Sequence, residues 1–133
     1  MAKVTGIGGV FFLANDSDKE LREWYQRCLG MQLEDFGGAV LSWQEDHAED
    51  GGATVWHVGE KASDWFGPSK SRFMINYRVD DMDGMLQRLQ DESVELLQGP
   101  ESHENGRFLW LLDPEGNKVE LWEPRIWDDK NKA

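Results

Sequence analysis

Glu120 has the clearest chemical potential in this chain. It stands in Lys118-Val119-Glu120-Leu121-Trp122-Glu123-Pro124. Val119 and Leu121 alternate there with Lys118, Glu120 and Trp122, which is strand periodicity. A carboxylate at mid-strand can act as a base if its pKa is raised, orient a polar ligand, or pair with a neighbouring cation. The other reactive types are more scattered. His47 lies among carboxylates in the acidic stretch Glu45–Gly52 and reads as a solvated loop tip. His103 sits on the loop Glu101–Gly106 and is a general-base candidate. Cys28 falls within a helical pattern and reads as a small core residue. Gly6-Ile7-Gly8-Gly9 precedes a strand core and opens no helix, so it makes a poor phosphate loop. No Ser–His–Asp arrangement or paired-Cys zinc pattern can be built from these residues.

The elements that must position Glu120 follow from local signals. Asp113-Pro114-Glu115-Gly116-Asn117 is a turn, with Pro114 presetting φ and Gly116 or Asn117 free to turn left-handed. Pro124 ends the strand because it has no donor for the ladder. Arg72–Val79 alternates, with Phe73, Ile75, Tyr77 and Val79 on one face and Arg72, Met74, Asn76 and Arg78 on the other. Asn15-Asp16-Ser17-Asp18 starts a helix in which Leu21, Trp24, Tyr25, Cys28 and Leu29 recur at helical spacing, and Gly30 stops it. Asp80-Asp81-Met82-Asp83 caps a second helix carrying Met85, Leu86 and Leu89, in which Gly84 lowers stability.

Further strands are expected at Val4–Ala14, Met31–Phe36, Ala39–Gln44, Thr54–Val58, Val94–Leu97 and Arg107–Leu112. Gly37-Gly38 reads as a hairpin turn, and Gly99-Pro100 as the end of the Val94 strand. Gly59–Ser71 is a polar connection pinned by Trp65 and Phe66.

With 133 residues and a 39% hydrophobic share, the chain is expected to be one domain spanning 1–133. Fourteen basic against 26 acidic residues give a net charge of −12, which repels nucleic acid and anionic membrane. The apolar runs are too short to span a bilayer. No signal peptide is read at the N-terminus, and one cysteine fits a reducing compartment, so the expected location is the cytoplasm.

The order of elements repeats. Val10-Phe11-Phe12-Leu13-Ala14-Asn15-Asp16 lies beside Ile75-Asn76-Tyr77-Arg78-Val79-Asp80-Asp81 at an offset of about 65 residues. Each strand leads into an acidic cap, a helix and three short strands. Two tandem βαβββ modules result, the first about 4–66 and the second about 70–125. The fold class is α+β. Pairing the modules makes a curved eight-stranded sheet with helices outside and a cup within, and such a concavity is the default ligand site.

Ile7-Gly8-Gly9-Val10, Trp24-Tyr25 with Leu29-Gly30-Met31, Tyr77-Arg78-Val79-Asp80-Asp81, and Asp113–Asn117 with Val119-Glu120-Leu121-Trp122 together resemble the vicinal oxygen chelate family. That family includes glyoxalase I, extradiol dioxygenases and bleomycin-resistance proteins. The resemblance implies the glyoxalase-like cup and a homodimer, and exposed edge strands also invite pairing. It covers nearly the whole chain and is specific for fold, not for function.

Metal-dependent members of that family carry ligands at corresponding points of both modules. Here the last-strand position is Glu120. The second module's first strand offers Met74, a poor ligand for hard divalent ions. The first strand offers Gly9, which has no side chain. The remaining position is Trp56 or His57, and a one-residue slip decides between them. A catalytic metal site usually wants three protein ligands. The family's metal site is therefore expected to be incomplete, with no cofactor; if a divalent metal binds, its ligands are His57 and Glu120.

Met74 then marks the cup face, which it shares with Asn76, Arg78 and Glu120. An Arg78–Glu120 pair would satisfy the carboxylate without a metal. Phe11, Trp56, Met74 and Trp122 are expected to line the cup, which suits a flat aromatic ligand. Arg107, beside the His103 loop, can meet an anion. The leading reading is a glyoxalase-like small-molecule-binding protein, with lyase or isomerase chemistry if it turns a substrate over. The alternatives are a non-catalytic sequestration protein of the drug-resistance type, taking a cationic aromatic ligand, and a metal-dependent lyase or dioxygenase.

Overall fold

Two helices and a four-stranded sheet surround one apolar cluster in the computed structural model, which describes residue 3 and residues 10–42, 54–57, 63–104 and 106–124. In chain order the elements are α1 (Asp18–Leu29), β1 (Ile75–Arg78), α2 (Met82–Asp91), β2 (Leu96–His103), β3 (Gly106–Leu112) and β4 (Lys118–Pro124). The sheet order is β1-β4-β3-β2. β1 runs parallel to β4, and the other neighbours are antiparallel. The sheet is therefore mixed and open, and the described chain is α+β.

Both helices begin where their caps predict. Ser17 Oγ accepts from the Glu20 amide at 3.1 Å, and Asp18 and Glu20 stand in the positive first turn. Gly30 ends α1 in the left-handed conformation, φ 74°. Asp81 caps α2 by accepting from the Gly84 amide at 3.1 Å. A Cβ at Gly84 would stand 2.5 Å from Asp81 Oδ2, so the glycine costs helix propensity but leaves room for the cap. Glu123 adds a second tie, its Oε2 accepting from the Met82 amide at 2.8 Å.

Leu21 and Tyr25 of α1 and Met82 and Leu89 of α2 bury against Leu109, Leu111, Val119 and Leu121. These are alternate residues of β3 and β4, so the odd-numbered positions face the helices. The even-numbered positions of β4 and β1 face away. Cys28 is buried with the core, and burial pushes its thiol up, away from the reactive thiolate.

The turn after β3 is held from outside. Asp113 is buried, and its Oδ1 accepts from the amides of Glu115 and Asn117, both at 2.9 Å. Its Oδ2 accepts from Asn117 Nδ2 at 2.9 Å and from the Tyr25 hydroxyl at 3.0 Å. Glu115 reaches the start of α1, where Oε1 accepts from the Asn15 amide at 2.6 Å and Oε2 from the Asp16 amide at 2.8 Å. The turn that begins β4 is thus fastened to both the entry and the middle of α1.

Several strand bounds differ from the sequence reading. β2 runs through Gly99-Pro100 to His103, because register shifts around Gln98 absorb the glycine and proline. His103 therefore lies on a strand, not on a loop. β1 is shorter than Arg72–Val79, since ladder pairing exists only where Val119–Trp122 lies opposite. Residues 10–14, 31–34, 39–42 and 54–57 belong to no strand. The Gly37-Gly38 turn does form, with Glu34 N to Gly38 O at 2.8 Å, but its flanks make no ladder. A lone two-stranded hairpin has too little burial to sustain one. The rest of the first-module strand spans, at 4–9, 43–44 and 58, lies outside the described residues, as does Gly9.

Candidate functional site

Register brings the polar site together. Asn76 on β1, Glu120 on β4 and Trp110 on β3 are direct cross-strand partners on the face away from the helices. Side chains so placed start within about 5 Å of one another. Glu120 Oε1 accepts from Asn76 Nδ2 at 2.6 Å, and Oε2 accepts from Trp110 Nε1 at 2.7 Å. Each oxygen keeps a further lone pair for an outside donor. The carboxylate is half-buried and held at both ends by neutral donors.

The next row is aromatic. Arg78, Trp122 and Phe108 lie side by side across the same three strands. The Phe108 ring is within 6° of parallel to Trp122 and within 10° of parallel to Trp110, with centroids 5.9 and 6.1 Å away. The Arg78 guanidinium stands 5.4 Å from the Trp122 ring centroid. His103 stands edge-on to Phe108 at 5.8 Å, and its Nε2 is 3.0 Å from Glu101 Oε1. Gln98 and then His103 hold the Glu101 carboxyl below its ordinary range.

On the other side of Glu120 stands Lys118, buried at 7% exposure. Its Nζ donates to the Trp65 carbonyl at 2.6 Å and lies 5.0 Å from the Trp65 ring. Trp65 in turn meets Trp110 edge-on at 5.5 Å. The connection between the expected modules therefore crosses this face, and Trp65 forms one wall beside the carboxylate.

Of the residues named from sequence, Asn76, Arg78, Glu120 and Trp122 share this face in two adjacent rows. Met74 is half-buried just before β1. Phe11 and Trp56 stand 94% and 77% exposed and are not packed against the group. His57 is also exposed. Residues 54–57 lie in no strand, so no pleat turns Trp56 or His57 inward. Arg107 faces the helices, where its Nη1 meets Asp83 Oδ1 at 3.0 Å. It shares parity with Leu109 and Leu111, and that alternation was the available signal. Phe108, Trp110, Lys118 and Trp65 were missed as site residues. Phe108 and Trp110 have the opposite parity to Leu109 and Leu111, which marks their face but not their neighbours.

Residues 7–121 match the Glyoxalase/Bleomycin resistance protein/Dioxygenase superfamily. The chain belongs to this superfamily. A relative, the uncharacterized protein YraH of Bacillus subtilis (strain 168), is 25% identical over 127 residues, covering 84% of this chain and 92% of that protein. The crystal structure of a protein of unknown function from Agrobacterium tumefaciens str. C58 is 18% identical, with a TM-score of 0.52, covering 90% of this chain and 98% of that one. The structure of TnmS3, an antibiotic binding protein from Streptomyces sp. CB03234, is 24% identical, with a TM-score of 0.49, covering 82% and 88%.

A catalytic metal site usually wants three protein ligands. Among the described residues no group of three or more His, Cys, Asp or Glu is placed to hold an ion. Glu120 already accepts from two N–H groups, and its row neighbours are an amide and an indole. These residues do not fit a metal centre. No helix among the described residues is long and apolar enough to cross a membrane.

Proposed function

We propose that this chain is a glyoxalase-like small-molecule-binding protein in which Glu120 orients the ligand and no metal takes part. The carrying observation is the carboxylate held at both oxygens by Asn76 and Trp110, beside the near-parallel rings of Phe108, Trp110 and Trp122. Two fixed donors preorganise the carboxylate as an acceptor for a ligand N–H or O–H. Phe108, the partly exposed ring of the three, suits contact with a flat aromatic body. In this reading residues of about 4–66 supply the first βαβββ module, the second spans about 70–125, and the two close an eight-stranded cup over this face. Membership of the superfamily supports that closure.

Binding outranks lyase or isomerase chemistry in this proposal, because both oxygens of Glu120 are engaged by donors. A base would have to take its proton on the remaining lone pairs. A screen of flat aromatic compounds, read by quenching of tryptophan fluorescence, tests it. Stoichiometric binding is expected, weakened about tenfold by Glu120→Gln. Unchanged affinity in that variant would remove Glu120 from the site. Turnover of a bound compound would restore the enzymatic reading. One equivalent of Zn, Ni, Mn or Fe retained on elemental analysis would restore the metal-dependent one, with His57 and Glu120 as its first candidates.

A further inference from the structure

The buried lysine beside the carboxylate points to the kind of ligand. We infer that Lys118 is a specificity-determining residue that receives an anionic group of the ligand, while Glu120 accepts from a donor on the same molecule. The inference rests on the proposed binding site and names its substrate class: a hydroxylated aromatic acid.

Three observations carry it. Lys118 and Glu120 are two apart on one strand, so both face away from the helices, about 7 Å apart at the backbone. Lys118 is 93% removed from solvent by its 7% exposure, yet among the described residues no carboxylate lies within 4.0 Å of its Nζ. Its partners are a neutral carbonyl and a ring face, both from Trp65. A desolvated ammonium with three donors and one carbonyl acceptor has unused hydrogen-bonding capacity, and an anion supplies both an acceptor and opposite charge.

The aromatic walls fit the same class. Trp65 joins the two ends, touching Lys118 through its carbonyl and ring, and Trp110 through its edge. A ring lying against the exposed part of Trp65 would present one substituent to Lys118 and another to Glu120. The net charge of −12 favours cations over long range. At this face, however, Lys118 and Arg78 flank Glu120 on either side along the strands. Short-range contacts outweigh screened distant charge.

The test uses matched probes on the intact protein. Tryptophan quenching is titrated with 3-hydroxybenzoate, 3-hydroxybenzamide and 3-hydroxybenzylamine, on wild type and on Lys118→Met. Wild type should bind the acid about tenfold or more tighter than the amide. Lys118→Met should abolish that preference, so that acid and amide bind with equal affinity. Acid and amide binding equally to wild type, or the amine binding tightest, would overturn the inference and leave the binding site standing. Equal loss of both probes in Lys118→Met would reduce Lys118 to a tie for the Trp65 segment. If none of the three binds wild type, the inference and the proposed site both fall. The wild-type comparison needs no variant, so a folding defect in Lys118→Met cannot mask the result.

Discussion

Trp110 donates its indole N–H to Glu120 at 2.7 Å from the adjacent strand. The ring is buried, so this N–H has no access to bulk water. Trp110→Phe keeps an aromatic body and removes the donor. Loss of about 1–3 kcal/mol is expected in urea unfolding, together with weaker ligand binding. A variant with wild-type stability and affinity would show that the bond does not hold the carboxylate.

Tyr25 and Asp113 join α1 to the turn before β4. Asp113→Ala strands four donors and should cost about 3 kcal/mol or more, whereas Tyr25→Phe removes one bond and should cost about 1–2 kcal/mol. Burial, and then the neighbouring Tyr77 and Asp113, push the Tyr25 hydroxyl well above its ordinary 10.0. The folded state therefore holds this proton more tightly than the unfolded state. Its contribution is complete below about pH 10 and is lost as pH rises further. Thermal unfolding at alkaline pH should show a shallower decline for Tyr25→Phe than for wild type.

Glu115 has the opposite sign. Backbone N–H groups of Asn15, and then of Asp16, hold its carboxyl below the ordinary 4.5. Its stabilisation is present above the unfolded value and is lost as pH falls through the lower folded value. Glu115→Gln should be less stable than wild type at neutral pH, and the two should converge on acidification. Parallel acid-unfolding curves would show that the tie to α1 carries no stability.

Gly106 opens β3 at φ 135°. A Cβ there would stand 2.2 Å from the Glu123 carbonyl oxygen and 2.8 Å from Trp122 Nε1. Gly106→Ala should destabilise by about 2 kcal/mol or more and shift Trp122 emission, since both backbone strain and a steric clash must be relieved. An unchanged emission maximum would mean that the strand start moves and the ring does not.

The helices were legible because their signals are local. Ser17, Gly30 and Asp81 cap their own helices within a few residues, and Leu21, Tyr25 and Leu89 recur at a period that the chain itself carries. The two faces of β1 and β4 were legible for the same reason, since alternation needs no partner. It placed Asn76, Arg78, Glu120 and Trp122 on consistent faces. The same rule applied to Arg107 would have sent it to the helix side, with Leu109 and Leu111.

The sequence by itself determined the caps, the strand parity, the turn at Asp113–Asn117 and the superfamily to which residues 7–121 belong. The tertiary structure decided which strands are neighbours and in what register. It set Asn76 and Trp110 against Glu120 from opposite sides, carried β2 past Gly99-Pro100, and laid Trp65 over Lys118. Cross-strand register depends on contacts between residues far apart in the chain, so no local period encodes it.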